Sequence, residues 1–144
     1  MKERYSRNRI YVDAEKQEQV RGFRVFLGGA GIGSIIAECA LRFGFETLTI
    51  VDGDKVEESN LNRQNYRMCD IGRPKAEALK ERLLSINPSA NITAVNAFID
   101  KDNMVELLEG HSAAVNALDF SSNVPFLFDA HCRQCKIPVL HPYN

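Results

Sequence analysis

Short apolar runs alternate along this chain with longer stretches whose apolar residues recur every three or four positions. Arg24–Gly28 (Arg-Val-Phe-Leu-Gly) reads as a buried strand, and residues 32–43 as a helix with helical apolar spacing. Thr47–Val51 is a second strand, closed by Asp52-Gly53-Asp54. After an irregular stretch to Arg73, Pro74 suits the first residue of a helix reaching about residue 86, which Asn87-Pro88 ends. Residues 91–98 form a third strand and 102–109 a short helix stopped by Gly110. Residues 113–118 form a fourth strand, 123–135 a helix and 137–140 a fifth strand, and a further helix is expected near 13–21. Strands alternating with helices mean βαβ units and a parallel sheet. Right-handed crossovers then place a ligand at the carboxyl ends of the strands.

Length and composition narrow the class. A chain of 144 residues matches one domain, 1–144, and is long enough to bury a core without staples. Apolar residues make up 44% and charged residues 26%, as in ordinary globular proteins. Eighteen Lys and Arg against nineteen Asp and Glu leave a net charge of −1, which gives no footprint for nucleic acid or an anionic membrane. No apolar run approaches the ~18 residues of a membrane span, and MKERYSRNRIYVDAEK has no signal-type apolar core. Four cysteines are too few for a disulfide framework and suit a reducing, cytoplasmic setting.

The first strand runs directly into Gly28-Gly29-Ala30-Gly31-Ile32-Gly33-Ser34 and then a helix. That is where a nucleotide-binding fold needs glycines, so that backbone N–H groups and a helix N-terminus approach phosphate. Gly29 and Gly31 fit Gly-x-Gly-x-x-Gly with Ser34 last; Gly28 and Gly33 fit it with Ala30 in the middle. A tight strand–helix turn that binds nothing is the plain alternative. Asp52, twenty-three positions after Gly29, stands near the spacing of the acid that accepts hydrogen bonds from a ribose hydroxyl. The fold class is therefore α/β: a Rossmann-like, doubly wound, mostly parallel sheet with an N-terminal helical arm (1–22) packed on it. To this point NAD and ATP fit equally well.

The following segment separates them. Glu58-Ser59-Asn60-Leu61-Asn62-Arg63-Gln64 precedes Asp70-Ile71-Gly72-Arg73-Pro74-Lys75. Arg63 and Lys75 suit the several charges of a nucleoside triphosphate better than a dinucleotide. Asp-x-Asp, Ser-Asn-Leu-x-Arg-Gln and Gly-x-Pro-Lys, in this order, resemble the ThiF/MoeB/HesA family, which includes the adenylation domains of ubiquitin-activating enzymes. Arg4-Tyr5-Ser6-Arg7 is similar to the segment that opens family members, and the resemblance spans residues 4–144.

The resemblance implies an ATP-dependent adenylyltransferase that joins the C-terminal carboxylate of a ubiquitin-like or sulfur-carrier protein, or a peptide, to AMP. It implies that Asp52 holds the ribose with Asp54 nearby, that Asn60, Arg63 and Gln64 contact phosphate, and that Lys75 stabilises α/β-phosphate charge. It also implies that Asp119, ending the fourth strand, binds Mg²⁺, and that Arg7 enters a homodimer partner's site. A basic N-terminus (Lys2, Arg4, Arg7, Arg9) fits a dimer arm. The family's substrate-selecting half lies beyond what 144 residues hold, so the length reads as a cut. Two departures stand out: the glycine loop is one residue shorter than the family's, and Phe120 follows Asp119 where Asn is usual.

Simpler roles compete. Lys75 could belong to a solvated helix face with Lys80, Glu81 and Arg82, Asp119 could cap the next helix, and Arg7 could be a surface residue. For Arg63 no packing role is evident. Cys132-Arg133-Gln134-Cys135 lacks the second pair that structural zinc wants and reads as structural thiols. Cys69 is expected to be partly exposed at most, and His111 to lie in a loop. Two rival functions remain: a non-catalytic nucleotide-binding module, and an NAD- or FAD-dependent oxidoreductase resting on the loop and Asp52 alone.

Overall fold

A computed structural model describes residues 3–142; residues 1–2 and 143–144, Lys2 among them, lie outside the described residues. Five strands, β1 (Arg24–Gly28), β2 (Thr47–Val51), β3 (Asn91–Val95), β4 (Ala113–Asn116) and β5 (Val139–Leu140), form one sheet in the order β3-β2-β1-β4-β5. Every pairing is parallel. The helices are α1 (Ala14–Gly22), α2 (Gly33–Phe43), α3 (Lys75–Ile86), α4 (Met104–Leu108) and α5 (Val124–Gln134). The order reverses between β1 and β4, which creates a switch point at their carboxyl ends.

The sheet is covered on both faces, as a parallel sheet requires. Leu27, Leu48 and Ile50 pack with Ala37 and Leu41 of α2 and Leu79 and Leu83 of α3. Phe26, Val51 and Ala114 pack on the other face with Leu108 of α4 and Phe128 and Cys132 of α5. Successive residues of one strand thus serve opposite cores, which is the two-residue period of extended chain.

The elements stand where the sequence places them, with shifted ends. β3 stops at Val95 instead of residue 98, and β4 at Asn116 instead of 118. Their neighbours run out there: Val51 pairs with Val95, and Gly28 with Asn116. Pro74 is the N-cap of α3 and not its first residue, and β5 is confined to Val139–Leu140. Cys69 is exposed; it sits in a 3₁₀ turn, Met68–Asp70, of which Asp70 is the buried member.

The sequence expects an arm over 1–22 but places its helix only near 13–21; ahead of α1, Glu3–Ile10 also forms a 3₁₀ helix, with Tyr5 buried. Long-range hydrogen bonds hold it. The Tyr5 hydroxyl donates to Glu46 Oε1 (3.0 Å), and Asn87 Nδ2 donates to the same oxygen (3.2 Å). Asn8 Nδ2 and Gln17 Nε2 both donate to the Phe43 carbonyl, at 2.7 and 3.0 Å.

Candidate nucleotide-binding site

A cavity of about 530 Å³ opens at the carboxyl ends of β1, β2 and β4. Of the residues that the sequence singles out, Gly29, Gly31, Asp52, Asp54, Asn60, Arg63, Gln64, Lys75 and Asp119 line it. Gly33 does not: it is the buried first residue of α2, facing Ala117. Arg7 does not either; it is exposed on the N-terminal 3₁₀ helix, away from this chain's own cavity.

The floor is the turn from β1 into α2. Gly29 has φ +94°, and a Cβ there would collide with the Ala117 carbonyl. Only glycine meets both demands. The Gly29 N–H donates to the Val51 carbonyl (2.9 Å) and the Ala117 N–H to the Gly28 carbonyl (2.8 Å), so the turn is clamped between β2 and β4. No side chain caps the start of α2. The Ser34 and Ile35 N–H groups turn back onto the Gly31 and Ile32 carbonyls (3.1 and 3.2 Å), which leaves the N–H of Gly33, the first helical residue, for an anion.

Asp52 does structural work as well. Its Oδ2 accepts from the Ala30 N–H (2.7 Å) and its Oδ1 from the Asp54 N–H (2.7 Å). Burial pushes its carboxyl above the ordinary Asp value, against those two hydrogen bonds and the Lys75 charge. Each oxygen keeps a further lone pair for a donor from a ligand.

A short antiparallel contact explains how Lys75 arrives. Lys55 bridges to Pro74, the Val56 N–H donates to the Arg73 carbonyl (2.9 Å), and the Lys75 N–H donates to the Asp54 carbonyl (2.9 Å). The ammonium lies 3.8 Å from Asp54 Oδ2, and Lys75 as a residue is only 7% exposed. A solvated helix face therefore does not describe Lys75; a cation pressed into an acidic pocket does.

Residues 57–73 form the rim. Arg63 Nη1 donates to the Ser59 carbonyl and to Asn62 Oδ1, both at 2.9 Å, which supplies the packing role not evident from sequence. Asn60 Oδ1 accepts from the Glu57 N–H (3.0 Å), leaving its amide hydrogens as the donors for an anion. Gln64 lies against Gly31, and its buried Oε1 has no partner. Behind the rim, Asp70 is buried between Arg67 and Arg73. Burial raises its carboxyl, but the Arg67 hydrogen bonds and both guanidinium charges outweigh that and hold it below the ordinary value.

Asp119 is exposed at the lip, three residues beyond the end of β4, and so does not end the strand as expected. Nor does it cap α5, whose N-cap is Asn123. Among the described residues, no group of three or more His, Cys, Asp or Glu could hold a metal ion.

A profile described as the ThiF family matches residues 5–142. The chain belongs to that family. This ThiF-family chain is 36% identical over 141 residues to the molybdopterin-synthase adenylyltransferase of Salmonella typhimurium, covering 95% of this chain and 56% of that protein. It is 36% identical over 145 residues to the SAMP-activating enzyme E1 of Haloferax volcanii, covering 96% of this chain and 53% of the relative. Among solved structures, the E. coli tRNA N6-threonylcarbamoyladenosine dehydratase in complex with ATP superposes with a TM-score of 0.91 at 30% identity. That match covers 96% of this chain and 58% of the other. The ThiF chain thus spans little more than half the length of these relatives.

Sequence reasoning missed the apolar wall. Phe98, Ile99, Leu118 and Val124 also line the cavity. Phe98 packs so closely on Gly53 that a Cβ there would fall 2.6 Å from its ring. The sequence pattern extends β3 to Phe98 and β4 to Leu118; a hydrophobic residue just past a strand's last paired residue is the available signal. Tyr66 was missed too, as was the buried Asn116, whose Nδ2 donates to the Pro125 carbonyl and Asp129 Oδ1, both at 2.9 Å.

Proposed function

We propose that this chain carries the nucleotide-handling part of an ATP-dependent adenylyltransferase, which activates the C-terminal carboxylate of a ubiquitin-like or sulfur-carrier protein, or of a peptide. One observation carries the reading: the cavity joins a glycine turn, an uncapped helix start, Arg63, Lys75 and the carboxylate of Asp52 around about 530 Å³. The similarity to proteins named adenylyltransferase and activating enzyme supports it.

The triphosphate lies along the glycine turn, where the Gly31, Ile32 and Gly33 N–H groups face its oxygens. Asp52 accepts from the ribose hydroxyls, and the wall of Phe98, Ile99, Leu118 and Val124 takes the base. Asn60, Gln64 and Arg63 reach phosphate from the rim. A carrier carboxylate is ionised at neutral pH and attacks the α-phosphorus without a general base. A carboxylate oxygen–phosphorus bond forms, the α–β bridging bond breaks, and pyrophosphate carries away the electron pair. Lys75 stabilises the charge that gathers on the α/β oxygens. Positioning and electrostatics supply the catalysis.

Mg²⁺ is satisfied by one or two protein carboxylates together with phosphate oxygens, so the single exposed Asp119 at the lip fits it. Bound there, the ion would neutralise phosphate charge. Arg7, exposed on the arm, suits a homodimer in which it reaches the partner's cavity. The described cysteines are free, and no described helix is long and apolar enough to cross a membrane; the free thiols support a cytoplasmic setting. Arg63 and Lys75 favour ATP over NAD or FAD.

Likeness to the tRNA dehydratase favours a second reading, in which the substrate group is borne on tRNA. Calorimetry with ATP·Mg²⁺, followed by ATP–pyrophosphate exchange with carrier or with tRNA, tests both. Binding plus exchange with a carrier supports the first reading; exchange with tRNA alone supports the second. Binding without exchange means a nucleotide-binding module, and no ATP binding refutes the proposal.

A further inference from the structure

Tyr66 belongs to none of the sequence motifs above, yet it is buried beneath the glycine turn. Its hydroxyl donates to the Ala30 carbonyl at 2.6 Å and stands 3.5 Å from the Lys75 carbonyl. One phenol therefore touches both the phosphate turn and the residue that bears the cavity's buried cation. The same segment makes a second contact. The Asn65 N–H donates to Ser34 Oγ (2.9 Å), and that hydroxyl donates to the Gly31 carbonyl (2.6 Å).

These contacts bear on direction. A trans peptide is planar, and its C=O and the following N–H point opposite ways. With the Ala30 carbonyl drawn down to Tyr66, the Gly31 N–H is turned the other way, toward the cavity that Gly31 lines. With the Gly31 carbonyl drawn to Ser34, the Ile32 N–H is turned likewise. The Ala30 N–H is already taken by Asp52, so the turn is fixed from both sides of that residue.

We propose that Tyr66 is a positioning residue for the phosphate site, aiming the Gly31 N–H at the triphosphate and holding the turn in register with Lys75. This rests on the nucleotide reading above. Tyr66 touches neither substrate nor the reacting atoms; it acts through Ala30 and Lys75. Its hydroxyl is an uncharged donor to a carbonyl, and burial together with the Asp52 and Asp70 charges pushes its ionisation far above the ordinary tyrosine value, so it stays protonated.

The test compares ATP·Mg²⁺ with adenosine, because only the former needs the turn's N–H groups. Tyr66→Phe keeps the ring and removes the donor. The expected result is an ATP·Mg²⁺ Kd weakened about tenfold, the size of one net hydrogen bond, with the adenosine Kd unchanged. A loss equal for both ligands, or no loss for either, overturns the proposal. Wild-type protein that binds adenosine but not ATP refutes the nucleotide reading itself, which separates that failure from this one. Should Tyr66→Phe not fold, 3-fluorotyrosine at position 66 sharpens the donor while keeping the ring. It is expected to shift the ATP Kd at least about twofold and the adenosine Kd not at all; an unchanged ATP Kd overturns the proposal.

Discussion

The two ends of the sheet use the same kinds of side chain to opposite effect. Where β2 begins, Glu46 is buried with Tyr5, Asn87 and Arg21 on its oxygens, the last at 3.4 Å. Gln17 and Asn8 close the neighbouring helix end on the Phe43 carbonyl. Where the strands finish, Asp52 has its carboxyl raised by burial, Gln64 has a buried oxygen with no partner, and α2 starts without a side-chain cap. An amide and a helix end are satisfied at one pole and left open at the other, where the acid, although held by the Ala30 and Asp54 N–H groups, keeps lone pairs for a further donor. Buried polar groups without partners are costly, so the open pole is where a ligand completes the structure.

Substitutions at the two poles should separate accordingly. The largest effect is expected from Gly29→Ala, which places a Cβ against the Ala117 carbonyl at φ +94°. It should cost about 3–5 kcal/mol in chemical denaturation, and an effect under ~1 kcal/mol would mean the turn is not held as described. Lys75→Ala should weaken ATP·Mg²⁺ binding by about a hundredfold, near 3 kcal/mol by calorimetry, with the apo fold retained. If apo stability falls while affinity does not, Lys75 is structural and the contrast between the poles fails there.

Glu38 gives a pH-dependent arm. It lies behind the rim, accepting from Asn65, Arg82 and Arg42 at 2.6, 2.8 and 2.9 Å. Burial works against its ionised form, but these partners prevail and hold it at about 2. A depressed carboxyl contributes stability that is fully present above its unfolded pKa, near 4.5, and lost as pH falls toward 2. Glu38→Gln should therefore cost about 2 kcal/mol at pH 7 and progressively less below pH 4.5. A constant cost across that window would contradict the ion-pair account. The smallest effect belongs to the closed pole. Tyr5→Phe should cost about 1 kcal/mol of stability and leave ATP affinity unchanged, and weakened ATP binding would show that the poles are coupled.

How legible each region was in the sequence follows the same division. β1, β2 and α2 could be read from their apolar pattern, and the glycines and Asp52 from their spacing along a βαβ chain, whereas Asp54, Asn60, Arg63, Gln64 and Lys75 could be read through the resemblance of their motifs to the ThiF/MoeB/HesA family. The 3₁₀ helix Glu3–Ile10 could not: it buries Tyr5 alone, and partners 41 residues or more away hold that residue. Strand ends were overrun at residues 96–98 and 117–118, because Phe98 and Leu118 look like strand positions but face the cavity after their neighbours have stopped pairing. Lys75 was separated from a solvated face only by the Lys55–Pro74 bridge, a contact between segments that no local pattern encodes. Asp52 stands just past β2 and lines the cavity, but its grip on the Ala30 and Asp54 amides is invisible without the turn's geometry.

The most direct test of the open pole is calorimetric titration of the wild-type chain with ATP·Mg²⁺ beside NAD under identical conditions. Saturable ATP·Mg²⁺ binding that is weakened by Lys75→Ala, and is at least tenfold tighter than NAD, is what this site predicts. Equal or tighter NAD binding, or no heat with ATP·Mg²⁺ from a folded chain, would contradict it.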